Sequence, residues 1–371
     1  MNHFQFATIF TTKRKELNVT QEEIARYVGV SRAAVSKWEK GQSYPDISLL
    51  PKLAAYFNVS IDDLLGYEPQ MTEQRILETY STLAKDFTLK PFDEIDAEID
   101  GLITEYYSCF PFVLKMAQLY VNYLDLTTNR EATLEKVLAL CKRVEEYSGD
   151  YKMANEALMM EGFVYVIQGN ATKVLELLGE DVPIQLGTEQ LIATAQKMLG
   201  QTDKAKEILQ VHAYQQINSI VSNAGESLLL ELDNTDYFDE MVRRMEAIIT
   251  TFELAHLNVN TALVFYVKAA SGYAMQQRFE QAFYCIEKYV KACMQIQFPM
   301  RLEGDTYFYL LDDWMARELV LSTQTPRDNE TIKKALYETI ANNPLFASLQ
   351  SDGRYTNLLT NLHHYLRLEE V

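Results

Sequence analysis

Two helix starts and two helix stops are written into the short stretch from Thr20 to Gly41, and they leave the chain few ways to fold there. Thr20 stands three residues before Glu23. That is the capping-box spacing, in which the threonine hydroxyl accepts the N–H of the glutamate and the glutamate reaches back to the threonine N–H. The helix so opened carries Ile24, Ala25 and Val28 on one face. Gly29 then supplies a left-handed turn that a side-chain-bearing residue resists. Ser31 is an N-cap for a second helix, which runs to about Lys40 and stops before Gly41. On that second helix Val35 and Trp38 lie three apart and point inward. Arg32, Ala33, Ser36, Lys37 and Lys40 fall on another face, small near its start and basic toward its end. Helix, glycine turn, helix is a helix-turn-helix.

The flanking sequence completes a small bundle. A first helix is expected over roughly residues 4–17. A fourth follows Pro45-Asp46, with Ile47, Leu50, Leu53, Ala54 and Phe57 turned inward, and Ser60-Ile61-Asp62-Asp63 opens a fifth, anchored by Leu64 and Leu65. Gly66 ends it and Pro69 cannot continue it. The expected division is a domain over 1–67, a linker over 68–72 and a second, helical domain over 73–371.

The run LNVTQEEIARYVGVSRAAVSKWEKGQSYPDISLLPKLAAYFNVSIDDLLGY resembles the Xre-type domain of phage repressors and bacterial regulators. T-Q-E-E, V-G-V-S, V-S-K-W-E-G and P-D occur together at that family's spacing, and the resemblance covers nearly all of residues 4–67. It implies a double-stranded DNA operator as partner, with the third helix in the major groove. By the same resemblance Arg32, Ala33 and Lys37 occupy base-reading positions. Arginine can pair bidentately with guanine, and an alanine methyl can touch thymine. Gln21, Ser31, Ser36, Lys40, Gln42, Ser43 and Tyr44 suit the DNA backbone. Trp38 and Val35 are read as core, and Glu39 as a tie between helices.

Charge qualifies this reading. The chain of 371 residues has a formal net charge of -18. Residues 1–68 hold eight cations and eight anions, so the remainder carries all of the acidity. A neutral reader with only local basic patches binds DNA weakly by itself. An acidic body beyond the Debye length, about 8 Å at physiological salt, is largely screened. Two readers joined rigidly gain from effective concentration. A homodimer held by the C-terminal region is therefore expected, reading half-sites about one helical turn apart or a multiple of that.

The remainder reads as helix after helix. Only 14 glycines and 9 prolines interrupt the whole chain, and helix interiors exclude both. Three stretches repeat one plan, an amphipathic helix, a polar turn and a second helix, with turns near Gly169, Gly200 and Gln277. They resemble tetratricopeptide repeats, whose period is about 34 residues. Such hairpins bury their apolar faces only against neighbours and stack into a solenoid with a concave face. The fold class expected is all-α, a five-helix helix-turn-helix domain followed by a tetratricopeptide-like α-solenoid. The C-terminal run from Leu319 to Tyr355 resembles the tail of Xre-type regulators that carry such a body, and capping hairpins are expected over roughly 315–366.

In peptide-sensing regulators of this architecture, asparagines on the concave face clamp a peptide backbone with amide donor and acceptor. Asn122, Asn155, Asn223 and Asn260 stand in otherwise apolar helices and are the candidates here. A short peptide is the ligand that the resemblance implies, and an acidic groove favours neutral or cationic ones. The alternative is a protein-interaction scaffold or an antitoxin-like autorepressor whose body holds a protein partner. Either way the chain is read as a regulator and not as an enzyme.

No nucleotide-binding, metalloprotease or nucleophile-elbow motif occurs, and no cofactor is implied. Cys109, Cys141, Cys285 and Cys293 form no C-x-x-C pair and read as buried thiols. Asp96, Glu98, Asp100 and Gly101 imitate the start of a calcium loop, but Tyr107 stands where the closing glutamate belongs, so they read as an acidic helix end. The tyrosine stripes Tyr106-Tyr107, Tyr120–Tyr123 and Tyr307-Phe308-Tyr309 read as hairpin core. No apolar run approaches the roughly 18 residues that span a bilayer, and the N-terminus lacks the order of a signal peptide. A cytoplasmic location is expected.

Overall fold

Helix caps set the N-terminal geometry, and they form where the sequence places them. The computed structural model describes residues 5–67, 70–182, 184, 187–318 and 327–368. Phe4, Glu68, Pro69 and the first part of the C-terminal run, 319–326, lie outside them. Helices α1 (Phe6–Glu16), α2 (Gln21–Val28) and α3 (Arg32–Glu39) come first. The Thr20 hydroxyl accepts the Glu23 N–H at 3.2 Å, and the Glu23 carboxylate accepts the Thr20 N–H at 2.7 Å. Those hydrogen bonds hold the exposed Glu23 carboxyl below its ordinary range. Gly29 closes α2 at φ +83°. Ser31 caps α3, its hydroxyl accepting the Ala34 N–H at 3.2 Å.

The next segment differs from expectation. Asp46 caps a single 3₁₀ turn, Ile47–Leu49, before α4 (Leu50–Phe57) begins. The tighter turn advances the chain by three residues per revolution instead of 3.6, so the residues ahead of Leu50 are out of phase with α4. Ile47, expected inside, is 81% exposed. Leu50, Leu53, Ala54 and Phe57 are buried as expected. α5 (Ile61–Leu65) has a second capping box, between Ser60 and Asp63, and ends at Gly66, φ +66°. Phe6, Phe10, Ile24, Val28, Val35, Trp38, Leu53, Phe57 and Leu64 share one core. In it the Phe10 ring stands edge-on to both Trp38, at 6.0 Å, and Phe57, at 5.3 Å. Such pairs add about 0.5–1.5 kcal/mol each beyond their area.

Beyond it the described chain is helical, with α6 (Glu73–Asp86), α7 (Phe92–Glu105), α8 (Phe110–Asn122), α9 (Arg130–Tyr147), α10 (Tyr151–Ile167) and α11 (Ala171–Leu178). Then come α12 (Thr188–Met198), α13 (Thr202–Leu228), α14 (Thr235–Thr251), α15 (Leu254–Leu257), α16 (Val259–Met275) and α17 (Phe279–Cys293). The last are α18 (Leu311–Glu318), α19 (Asn329–Ala341), a 3₁₀ segment Pro344–Leu349, and α20 (Gly353–Leu366). No strand occurs among the described residues. The fold is all-α and solenoid-like, and it forms two compact units, Met1–Glu180 and Asp181–Val371.

The three predicted hairpins are α10–α11, α12–α13 and α16–α17. Their turns hold left-handed residues at Gly169 (φ +70°), Gly200 (φ +79°) and Gln277 (φ +59°). The tyrosine stripes divide more finely than predicted. Tyr106, Tyr120, Tyr123 and Phe308 are buried, whereas Tyr107, Tyr307 and Tyr309 are exposed. Adjacent positions on a helix or turn cannot face the same way, so one of each neighbouring pair is left outside. The Tyr107 ring instead lies under the Arg143 guanidinium, 3.1 Å from its centroid. Asp96 and Asp100 lie within α7, where both accept from the Lys136 ammonium, at 2.6 and 3.0 Å. All four cysteines are buried and unbridged. Burial pushes the thiols of Cys141, Cys285 and Cys293 up to about 12, so they stay protonated at neutral pH.

Candidate nucleic-acid interface

The sides of α3 are sharply different. Val35 is fully buried and Trp38 is 4% exposed, packed on the α1 and α4 core. Arg32, Ala33 and Lys37, together with Lys40 at the C-cap, are exposed. The helix therefore presents a guanidinium, a methyl and two ammonium groups to solvent while its tryptophan fixes it from behind.

What holds α3 is a polar clasp. The Glu39 carboxylate accepts from the Arg14 guanidinium of α1 and from the Gln21 amide of α2, the latter at 2.8 Å. A further Arg14 N–H donates to the Val19 carbonyl at 2.8 Å. Partial burial raises the Glu39 carboxyl, but the hydrogen bonds from Arg14 and Gln21 outweigh it and hold the group below its ordinary range. Three helices are thus tied at one carboxylate, the role expected of Glu39. Arg14 was not singled out from the sequence. The only signal was a lone arginine between two lysines in the last turn of α1, and nothing in that triplet marks the middle one.

Of the residues assigned to the DNA backbone, Ser31 and Gln42 are exposed and Ser36 and Ser43 are half-buried. The Ser31 hydroxyl oxygen is engaged as a cap, and the Gln42 N–H donates to the Lys37 carbonyl at 2.9 Å. Tyr44 is 51% exposed, its ring 6.1 Å from Phe6. Gln21 is half-buried with its amide N–H turned to Glu39, which leaves it part of the clasp.

The four candidate asparagines divide between the two units. Asn122 donates to the Tyr80 hydroxyl at 2.8 Å, and Asn155 is exposed on α10, both in the first unit. Asn223 and Asn260 belong to the second unit and are exposed. Asn260 borders a cavity of that unit, between α16 and α19.

The helix-turn-helix family model matches residues 12–64. The transcriptional activator BcrR of Enterococcus faecalis is 46% identical over 55 residues, 15% of this chain and 27% of that protein. An HTH-type transcriptional regulator of Archaeoglobus fulgidus is 40% identical over 63 residues, 17% of this chain and 89% of that protein. The chain belongs to the HTH-type transcriptional regulators. The activator BcrR is matched over little more than a quarter of its length, and both matches cover less than a fifth of this regulator. Among solved structures, the apo form of the competence regulator ComR from Streptococcus vestibularis aligns over 83% of this chain and 95% of its own. It does so with a TM-score of 0.27 and 12% identity, too low to equate the two bodies. The regulator is DNA-binding by family, and no helix among its described residues is long and apolar enough to cross a membrane.

Proposed function

We propose that this regulator reads an operator as a homodimer and that its helical body senses a ligand. The observation that carries the DNA reading is the two-sidedness of α3, with Arg32, Ala33 and Lys37 outward and Val35 and Trp38 buried. Set in the major groove, Arg32 reaches a guanine edge, Ala33 a thymine methyl, and Lys37 the bases beyond. Ser31, Ser36, Lys40, Gln42, Ser43 and Tyr44 hold the phosphates on either side, helped by the N-terminal amides of α2 and α3. Gln21 orients α3 through Glu39 and meets phosphate only with its remaining valences.

The working division is a reader over 1–67, a linker over 68–72 and a sensing and dimerising body over 73–371. The neutral reader favours a dimer, because one copy offers few net phosphate contacts. That the body senses a short peptide rests on the resemblance of its sequence to peptide-sensing regulators. A ligand acts there only through different affinities for two states of the body. Selection of bound fragments from random duplexes tests the reading. A recovered site with two similar half-sites about one turn apart, or a multiple, is expected. A single unpaired half-site would refute the dimer, and no enriched sequence would refute the reader.

A further inference from the structure

One cavity in the second unit has a chemistry at odds with the rest of the chain. It encloses about 530 Å³, within the size range of small-molecule sites. Two apolar stripes face each other across it. One is Val259, Leu263, Val264 and Val267 on α16, and the other is Ile332, Ala335 and Leu336 on α19. Each follows the helical repeat of three to four residues, so each is one continuous face. Met300 and Leu302 line it further, and the Tyr289 hydroxyl, donating to the Leu336 carbonyl at 2.8 Å, pins α17 to α19 at its side.

Among the described residues its charged lining is Lys268, Arg301 and Arg327, with no aspartate or glutamate. In a chain with 52 acidic and 34 basic residues that is a marked local inversion. Lys268 is balanced from outside the cavity by Glu226. Arg301 is exposed and makes no ion pair among the described residues. Of its uncharged polar side chains, Thr339 already donates to the Ala335 carbonyl at 2.7 Å and Asn258 is hydrogen-bonded to the Tyr214 hydroxyl, which leaves chiefly Asn260 to hydrogen-bond a ligand. A peptide carries a donor and an acceptor on nearly every residue, and each one buried unpaired costs about 1–3 kcal/mol. An alkyl chain carries none.

We infer that this cavity binds an unbranched acyl carboxylate, its chain between the α16 and α19 stripes and its carboxylate at Arg301. This deepens the reading of the body as a ligand sensor and rests on it, replacing the peptide with an anionic amphiphile at this site.

Titration calorimetry of the full-length protein with decanoate, below its micelle concentration, tests the inference beside three other probes. They are decanol, decyltrimethylammonium and a short apolar peptide with a free C-terminus. Saturable one-to-one binding of decanoate is expected, with decanol and the cation at least about tenfold weaker. Arg301→Glu should weaken decanoate about tenfold and leave decanol unchanged. Val264→Trp, at a 44% exposed position on the cavity wall, should block both without changing the melting curve. Equal binding of decanol and decanoate, or indifference to Arg301→Glu, would overturn the carboxylate site. Peptide binding without decanoate binding would sink the inference and leave the sensor standing. Binding of none of the four would sink both.

Discussion

Arg32 and Lys40 belong to the same short helix, yet the chemistry of each predicts a different loss. Arg32 sits one residue after the cap, at the helix end that the proposed docking brings to base edges. Arg32→Ala should cost about 1–3 kcal/mol at the operator and relax preference at one position. Lys40 lies at the other end, where the proposed reading gives it a phosphate. Lys40→Ala should weaken specific and random duplexes alike and flatten the dependence of log K on log salt by about one unit. Binding isotherms for both DNAs at several salt concentrations separate the two, and equal effects of the two changes would contradict the assignment. At this scale the sequence was legible where backbone chemistry spoke. Thr20, Ser31 and Gly29 did what their side chains, or the lack of one, require. The tie from Gln21 to Glu39 was not legible, because it spans 18 residues and no local rule reports it.

Helix pairs carry two further predictions. On α16, a Cβ added at Gly272 would stand 2.5 Å from Cζ of Phe238, which is fully buried on α14 with its ring 4.8 Å from that of Tyr273. Gly272→Ala raises helix propensity yet overpacks this crossing, and overpacking costs about 1–3 kcal/mol. A lowered urea midpoint is expected, and a raised one would mean that the crossing has room. Between α9 and α10, Glu161 is buried beside Glu145, and each has one carboxylate oxygen buried without a partner. Burial, then the hydrogen bond and charge of Glu145, push Glu161 up to about 7, against a smaller opposing pull from Lys142. A carboxyl raised in the fold binds its proton more tightly there than in the unfolded chain. Its stabilising effect is complete below the unfolded value, near 4.5, and is lost as pH rises through about 7. Resistance to urea should therefore decline from pH 5 to pH 8, and Glu161→Gln should flatten that decline. An unchanged slope in the variant would place the titration elsewhere. The sequence showed these helices well, because glycine, asparagine and polar turns interrupt regular apolar spacing. It misplaced Ile47, since a single 3₁₀ turn ahead of α4 shifts the phase without altering composition.

For the whole molecule, charge makes the prediction. The first 68 residues are neutral and the remainder carries the entire -18, so the proposed dimer gains its affinity from pairing readers and not from net attraction. A fragment of residues 1–67 should bind the operator at least about a hundredfold more weakly than the full chain, the lower range of gains from linked sites. Sedimentation of the full chain should show twice the monomer mass at the concentrations where it binds. Equal affinity of fragment and full chain would show that the body contributes no pairing.

The division between what the amino-acid order determined and what folding in three dimensions decided follows the range of the forces involved. Caps, turns and helical faces are local. A hydroxyl three residues from a glutamate, or a glycine after a helix, acts within a few bonds, so the reader and the all-α class were present in the order of residues. The partners that Glu39 ties, the inward or outward turn of each tyrosine, and a cationic, apolar cavity in an acidic chain were not. Each joins residues tens of positions apart, brought together only when helices pack, and packing responds to the summed fit of many side chains.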